Sequence, residues 1–518
     1  MEVGTDKQVR ALAGQNTRMI DLRGHEVIPG IIDDHNHQFR AASLLLGGVN
    51  VNDVTSLPEM LERIHRAAEA AKPGEGVVTT GGWDVQALKE KRPPSRDELD
   101  EVSEGHPVMV RTTRGHAYLS TAAMRVLGIT RDSKSFAGYP IEKDASGEPT
   151  GALQAPVGPS LPQGLQQATS KLLPHRNHEE QEQLVMRMQQ QQNALGITSL
   201  RELWLSPEEM RVYQDLWRDK KLTIRVSMGI TAFGSTPPRD LEQTLATWGV
   251  GTGFGDPWLR LDCVGELQVD GSVQNAFLRA PYEGGQPDNF GSLLAGATPE
   301  NIRQLVSLVD RYDWRPSTHI WGDKALDVTL DAYEAAMQEQ GPIRDKRWTV
   351  EHALLIHPDQ MDRIQRLGIL VSAQAQPYYE SRRMLQMWGQ ERSDVAEPLR
   401  ELLDHKIVVG SGSDWPSLPN NPFVNFYFYI TRKTRDGGTL GAGERVSREE
   451  ALRMATINNA YITFEEKIKG SIEAGKLADF VVLPADILSV PEDQILHMLP
   501  LATYAGGREV YSAVGSSF

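Results

Sequence analysis

With 518 residues, 40% of them apolar and 24% charged, the chain has the composition of a globular protein with a large core, which excludes disordered, collagenous and fibrous classes. The net charge of −15 comes with no basic block, which argues against nucleic acid or an anionic membrane as the main partner and says little about a small substrate. Cys263 is the only cysteine, the first residues carry no apolar leader, and no apolar run reaches about eighteen residues, so the reading is a soluble protein of the reducing cytoplasm.

The predicted elements follow as repeated βα units. Residues 27–33 read as the first strand. The interval 40–174, with turn clusters at 91–95 and 144–150, has no place in a minimal repeat and reads as an insertion that lids one barrel end. A Gln-rich helix at 179–193 leads to the second strand at 197–200 and the third at 222–228. The fourth lies within 261–269, and four more follow at 317–320, 348–351, 369–373 and 407–410. Between them, 301–310, 324–339 and 358–366 carry apolar residues at helical spacing. Eight units predict a (β/α)8 barrel over residues 29–467, with loops 280–294 and 423–439 shaping its pocket. Residues 1–28 and 468–518 read instead as short strands, for example 479–483 and 503–511, expected to form a small β-sandwich from both termini.

The chemistry concentrates at strand ends. In the run from Pro29 to His37, His35 and His37 are two residues apart, so both point to one face and can hold one metal ion with nitrogens at roughly 2.0–2.1 Å. His319 ends the fifth strand and His352 the sixth, 33 residues later, about one βα unit. Asp414 follows the eighth strand in Gly410-Ser411-Gly412-Ser413-Asp414, where small residues let the backbone come close to a ligand. Four histidines and an aspartate thus fall at the barrel end where such enzymes place their active sites, a phase that independent structural histidines seldom share.

At these residues the chain resembles the metal-dependent amidohydrolase superfamily, in particular its YtcJ-like branch (amidohydrolase family 3), which includes N-substituted formamide deformylases. The motifs are 29–37, Gly81-Gly82-Trp83-Asp84, 111–116, Asp270-Gly271-Ser272, 319–325, Glu351-His352, 412–416, 455–460 and 470–479, and they cover nearly the whole chain. The resemblance implies a distorted barrel, a β-sandwich from both termini, and one or two divalent ions, usually zinc. It assigns His35 and His37 to a more buried ion, His319 and His352 to a more exposed one, and to Asp414 both a metal contact and a proton-shuttling role. A homodimer is a further implication. In relatives several β strands precede the segment matching Val3-Gly4-Thr5-Asp6, so the amino-terminal part of the β domain is expected to be shortened here.

One departure bears on the metal count. Where related sequences carry a carboxylated lysine that bridges two ions, four residues before the Asp-Gly-Ser motif, this chain has Glu266. A glutamate already offers two oxygens, so Glu266 is expected to bridge a binuclear centre; the alternative is one ion or none. The implied reaction is hydrolysis of a C–N bond in an amide, formamide or cyclic amide by metal-activated hydroxide, with Asp414 passing the proton to the leaving nitrogen. Trp83, Tyr378 and Trp415 are candidates to wall the substrate pocket, or else pack in cores. His116 is a candidate to orient the substrate, or else a structural histidine. Arg114 stands where many relatives have Asp, and either meets an anionic substrate group or pairs with an acidic neighbour. The competing functions are an esterase or lactonase on the same site and, in another class, a binding or regulatory barrel that no longer catalyses.

Overall fold

Pro29-Gly30 divides what the sequence presents as one strand. Gly30 lies so close to Thr198 that a Cβ there would meet the threonine Oγ1 at 2.2 Å, and its N–H donates to the Asp479 carbonyl at 2.9 Å. The expected strand 27–33 is therefore two strands in two sheets, Glu26–Pro29 and Ile31–Asn36. The first joins a four-stranded antiparallel sheet with Phe480–Leu483, Ala502–Ala505 and Arg508–Ser512. The amino-terminal segment ahead of it contains only a helical turn, Asp6–Arg10, among its described elements.

The second opens the barrel. The computed structural model describes the chain apart from residues 47, 52–53, 81–82, 84, 86–87, 113–115, 137–138, 154–170, 174–175, 285–287 and 515–518. Two compact units emerge, one of residues 1–38 and 189–518, the other of residues 39–188. In the first, eight parallel strands follow one another in spatial order: β1 (Ile31–Asn36), β2 (Ile197–Leu205), β3 (Arg225–Phe233), β4 (Leu259–Gln268), β5 (Pro316–Ile320), β6 (Thr349–His352), β7 (Leu370–Ala373) and β8 (Val409–Ser411). Helices such as Pro299–Arg311, Asp323–Gln340 and Pro358–Leu367 connect them; Thr298 caps the first, and the first and third begin on a proline.

The strands are buried on both faces, as in parallel sheets covered by helices. The seam between β8 and β1 is closed by something other than a ladder. Asn459 donates from Nδ2 to the carbonyls of Ile32 (2.6 Å) and Ser411 (2.8 Å) and accepts the Ser411 N–H at 3.0 Å. Beyond the strand ends, the Asp414 N–H donates to the His35 carbonyl at 2.8 Å and the His37 N–H to the Trp415 carbonyl at 2.9 Å.

Segment 423–439, expected as a pocket loop, is largely the helix Pro422–Thr431. Asn421 caps it, Pro422 starts it, and every residue from Phe423 to Thr431 is buried. A helix covered all round has no polar face and so no 3.6-residue alternation to betray it.

The second unit is a six-stranded sheet in the order Val77–Val78, Val108–Arg111, Ala117–Leu119, Pro149–Leu153, Tyr139–Lys143 and Ser135–Phe136, with helices Leu57–Ala70, Arg96–Val102 and Thr121–Leu127. Successive residues feed opposite faces: Val108 and Val110 pack with Leu57, Met60 and Leu99, while Met109 packs with Leu119 and Leu153. Among the described residues no helix is long and apolar enough to cross a membrane.

Candidate metal centre

Parallel strands bring all their carboxyl ends to one barrel mouth. β1 carries His35 and releases His37 just past its end, β4 carries Glu266, β5 His319 and β6 His352, and Asp414 lies beyond β8. All six candidate ligands are buried and come together.

Glu266 stands between the two histidine pairs. Its Oε1 is 3.6 Å from His35 Nε2 and 3.9 Å from His37 Nε2. Its Oε2 is 2.6 Å from His319 Nδ1 and 3.2 Å from His352 Nε2. Asp414 Oδ1 sits on the first side, 3.6 Å from His35 Nε2 and 3.5 Å from His37 Nε2. Ligand atoms lie within 4.8 Å of one another in the sets His35/His37/Glu266, His35/His352/Asp414 and Glu266/His319/His352. His35 Nε2 is buried without a hydrogen-bond partner, a donor atom left facing the cluster. Imidazole nitrogens with carboxylate oxygens suit zinc and neighbouring divalent ions, so the residues present fit such an ion.

Outer partners orient the rings. His35 Nδ1 is 2.8 Å from Glu351 Oε2, His37 Nδ1 is 3.1 Å from the Leu203 carbonyl, and His352 Nδ1 is 2.7 Å from Gln374 Oε1. Each of these three thus turns Nε2 inward. His319 is reversed: its Nε2 faces the Gly271 carbonyl at 3.0 Å and its Nδ1 faces Glu266. Burial works against a charge on His35, but Glu266, Asp414 and Glu351 outweigh it and lift the imidazole well above its ordinary value. His319 is likewise disfavoured by burial yet raised by Glu266 to about 8. His352 is lowered, by burial and then by His319. Burial would raise Glu266, but the His319 and His35 charges hold it well below the carboxylate range. The ionised carboxylate thus faces protons held on His35 and His319, which a bound cation would replace.

The backbone is bent to build this seat. Trp204, His352 and Asp414, each at or just past a strand end, have φ of 66°, 64° and 55°. Such left-handed conformations cost a non-glycine residue about 1–3 kcal/mol and concentrate at functional sites. Two clamps fix chain segments beside the cluster. Asp33 accepts the Ser413 N–H (2.8 Å), the Ser413 hydroxyl (2.6 Å) and the Asn36 amide (2.7 Å), fixing the turn that presents Asp414. Asp270 accepts the N–H groups of Phe277, Trp321 and Gly322, each at 2.9 Å, and so pins the chain after His319. Trp204 stacks on His37 with ring centroids 4.9 Å apart and donates its indole N–H to the Glu266 carbonyl at 2.8 Å.

The substrate-binding candidates fare differently. Trp415 and Tyr378 are half-buried in the barrel unit: the Trp415 carbonyl receives the His37 N–H, and the Tyr378 ring meets Tyr379 edge-on at 4.8 Å. Trp83, a candidate for a pocket wall or for core packing, is 2% exposed in the apolar cluster of the second unit with Leu57, Leu88 and Leu99, where a bulky indole fills the core. His116 is half-buried in that unit, its carbonyl accepting the Thr112 N–H at 3.0 Å and its N–H donating to the Thr112 hydroxyl at 3.1 Å. Arg114 lies outside the described residues. Sequence reasoning gave no role to Arg201, Trp204, Glu351, Gln374 or Gln376. The signal for Arg201 and Glu351 was their position: charged residues in the middle and at the end of buried strands.

The amidohydrolase family pattern matches residues 18–511. The chain is 27% identical to the N-substituted formamide deformylase of Arthrobacter pascens, over 99% of its own length and 93% of that protein's. It is also 27% identical to Protein LONG AFTER FAR-RED 3 of Arabidopsis thaliana, over 99% of its own length and 86% of the relative's. Among solved structures it is similar to an uncharacterized metal-dependent hydrolase from Pyrococcus furiosus, with a TM-score of 0.72 and 26% identity over 91% of this chain and 89% of that one. A match across almost the entire length, on a barrel whose mouth gathers four histidines and two carboxylates, settles the assignment: the chain belongs to the amidohydrolase family.

Proposed function

We propose that the protein is a metal-dependent hydrolase that cleaves a carbon–nitrogen bond in an amide, formamide or cyclic amide of a small molecule. The observation that carries this reading is the division of Glu266, one oxygen toward His35 and His37 and the other toward His319 and His352. That division would let Glu266 hold two cations at once, in the place of a carboxylated lysine, with zinc the ion that best suits the donor set. His35 and His37 would hold one ion, His319 and His352 the other, and Asp414 lies on the side of the first pair. A bound divalent ion supplies Lewis acidity, drawing electrons from a carbonyl group and making a nearby water acidic.

Asp414 is the acid and base of the reaction. The imidazoles of His35 and His37 beside it outweigh the effect of burial and hold its carboxyl below the usual range, so it is ionised and can take a proton from the attacking water. Delivered to nitrogen, the same proton turns an amide anion, a poor leaving group, into an amine. The relative named as a formamide deformylase supports the C–N bond over an ester or lactone. The buried single cysteine, Cys263, suits a reducing cytoplasm.

The test is metal content per chain for the wild type and Glu266→Ala, with hydrolysis measured on a panel of formamides, cyclic amides and esters after zinc loading. We expect two ions falling to one or none, and turnover of C–N substrates that the variant loses. Unchanged stoichiometry in Glu266→Ala would sink the bridge; a zinc-loaded wild type that turns over only esters, or nothing, would sink the amidohydrolase reading.

A further inference from the structure

Directly behind His35 the barrel interior holds charges that the reaction itself does not use. Glu351, fully buried beside His352, accepts the His35 Nδ1–H with Oε2 at 2.8 Å. Its Oε1 receives three donors: the Ser317 hydroxyl at 2.6 Å, the Thr349 hydroxyl at 2.8 Å and Arg201 Nη2 at 3.0 Å. Arg201, also fully buried, spends Nε on Asp262 Oδ2 at 2.9 Å and Nη1 on the Asp34 carbonyl at 3.0 Å. Asp262 is in turn paired with Arg315. The line from His35 through Glu351 and Arg201 to Asp262 and Arg315 crosses from the barrel mouth toward its floor.

We propose that Glu351 and Arg201 are positioning residues that lock His35 in its Nδ1–H tautomer and thereby set the affinity of the cation position it shares with His37. The inference rests on the hydrolase reading above for the presence of a cation. Its argument is geometric. An imidazole with a carboxylate 2.8 Å from Nδ1 must carry its proton there, because a lone pair facing a carboxylate oxygen is repelled. The lone pair is then on Nε2, the atom found buried and unpartnered on the side of Glu266 and Asp414. Charge behind an imidazole also raises its basicity as a ligand.

His35 is singled out by this support. His37 is backed by a neutral carbonyl and His352 by a neutral amide, whereas Glu351 brings a full charge. Arg201 has the complementary task. Without it Glu351 would be a buried charge opposed by desolvation, and would lower that cost by taking the His35 proton or its own. Arg201 Nη2 at 3.0 Å from one oxygen and the His35 Nδ1–H at 2.8 Å from the other compensate that charge. Arg201 shares its charge between Glu351 and Asp262, and Arg315 completes the balance, so the relay is neutral overall and can be buried.

The experiment is a zinc titration of the full-length protein against a competing chromogenic chelator, for the wild type, for Glu351→Gln, which keeps the shape and an oxygen acceptor but not the charge, and for the double variant Arg201→Met/Glu351→Leu. The double variant removes both charges together, so it leaves no unpaired one to prevent folding; circular dichroism checks each chain. Ring nitrogen-15 spectra of the zinc-free proteins, recorded at a pH high enough to leave His35 neutral, read the tautomer. We expect one zinc per chain to weaken by roughly 10–100-fold in each variant, and the other to stay within about threefold. The single Nδ1–H signal assigned to His35 should become a mixture in the double variant. Both affinities within about threefold of wild type in either folded variant, or an unchanged ring spectrum, overturns the relay. A wild type that binds zinc but cleaves no C–N bond overturns the hydrolase reading and leaves the relay standing on the titration, whereas a wild type that binds no zinc overturns both.

Discussion

Asp414 combines a strained backbone with the acid and base role proposed for it. Its φ of 55° turns the carboxylate toward His35 and His37, and Asp33 pays for that bend through Ser413. Asp414→Asn keeps the shape and removes the proton acceptor. We expect kcat to fall by about 10²–10⁴-fold with a smaller change in KM, in steady-state kinetics on whichever C–N substrate is turned over. A loss under tenfold would mean that another group carries the proton. At this scale the sequence is generous with ligands and silent on their support. His35 and His37 are legible because strand geometry makes i and i+2 neighbours, and His319, His352 and Asp414 because they recur in phase with the βα unit. Arg201 is illegible because the apolar run that announces β2 stops at Leu200, while the strand itself continues through buried charges to Leu205. Charge inside a barrel looks like the end of a strand until its partners, here from β4, β5 and β6, are seen together.

The elements show where local pattern suffices and where it fails. The barrel strands and helices are legible from β-branched runs and helical spacing, but the division at Gly30 is not, because the close approach of Thr198 is a tertiary fact. The helix Pro422–Thr431 hides for the opposite reason, being apolar on every side. The turn after β8 is the most confined of these pieces. A Cβ on Gly412 would meet His35 Cβ at 2.5 Å, His35 N at 2.6 Å and Asp34 Oδ1 at 2.7 Å, and backbone cannot yield as a flexible side chain can. Gly412→Ala should therefore lower stability by about 1–3 kcal/mol, read as a drop in thermal midpoint, and should cost metal binding because β1 and the Asp414 turn are forced apart. A variant with wild-type midpoint and metal content would show that the seam is softer than these distances imply.

Over the whole molecule, the pH dependence of stability has one outstanding contributor away from the metal centre. Burial raises the Glu397 carboxyl to about 8, and the nearby Arg432, its Nη1 4.0 Å away, offsets this only in part. Arg432 is occupied with the carbonyls of Leu440, Glu397 and Ala396. A carboxyl whose folded value lies above its unfolded one holds a proton that the unfolded chain has released. Stability is therefore lost as pH rises from about 4.5 to about 8, on the order of a few kcal/mol, and changes no further from this group above that. Glu397→Gln should match the wild type in thermal midpoint near pH 4 and exceed it near pH 9. Equal midpoints at both ends would place the Glu397 proton elsewhere.

The seam of the barrel gives the molecule a property that none of its parts has. Between β8 and β1 the sheet is fastened by Asn459, by Asp33 on Ser413, and by the bonds from Asp414 to His35 and from His37 to Trp415. Three of these residues are also proposed ligands. A cation gripped there acts as the clasp of a hoop: whatever opens the hoop lets go of the ion, and holding the ion keeps the hoop shut. Closure and occupancy then stabilise each other, so the ion would tighten the barrel by the same free energy with which the closed barrel tightens on the ion.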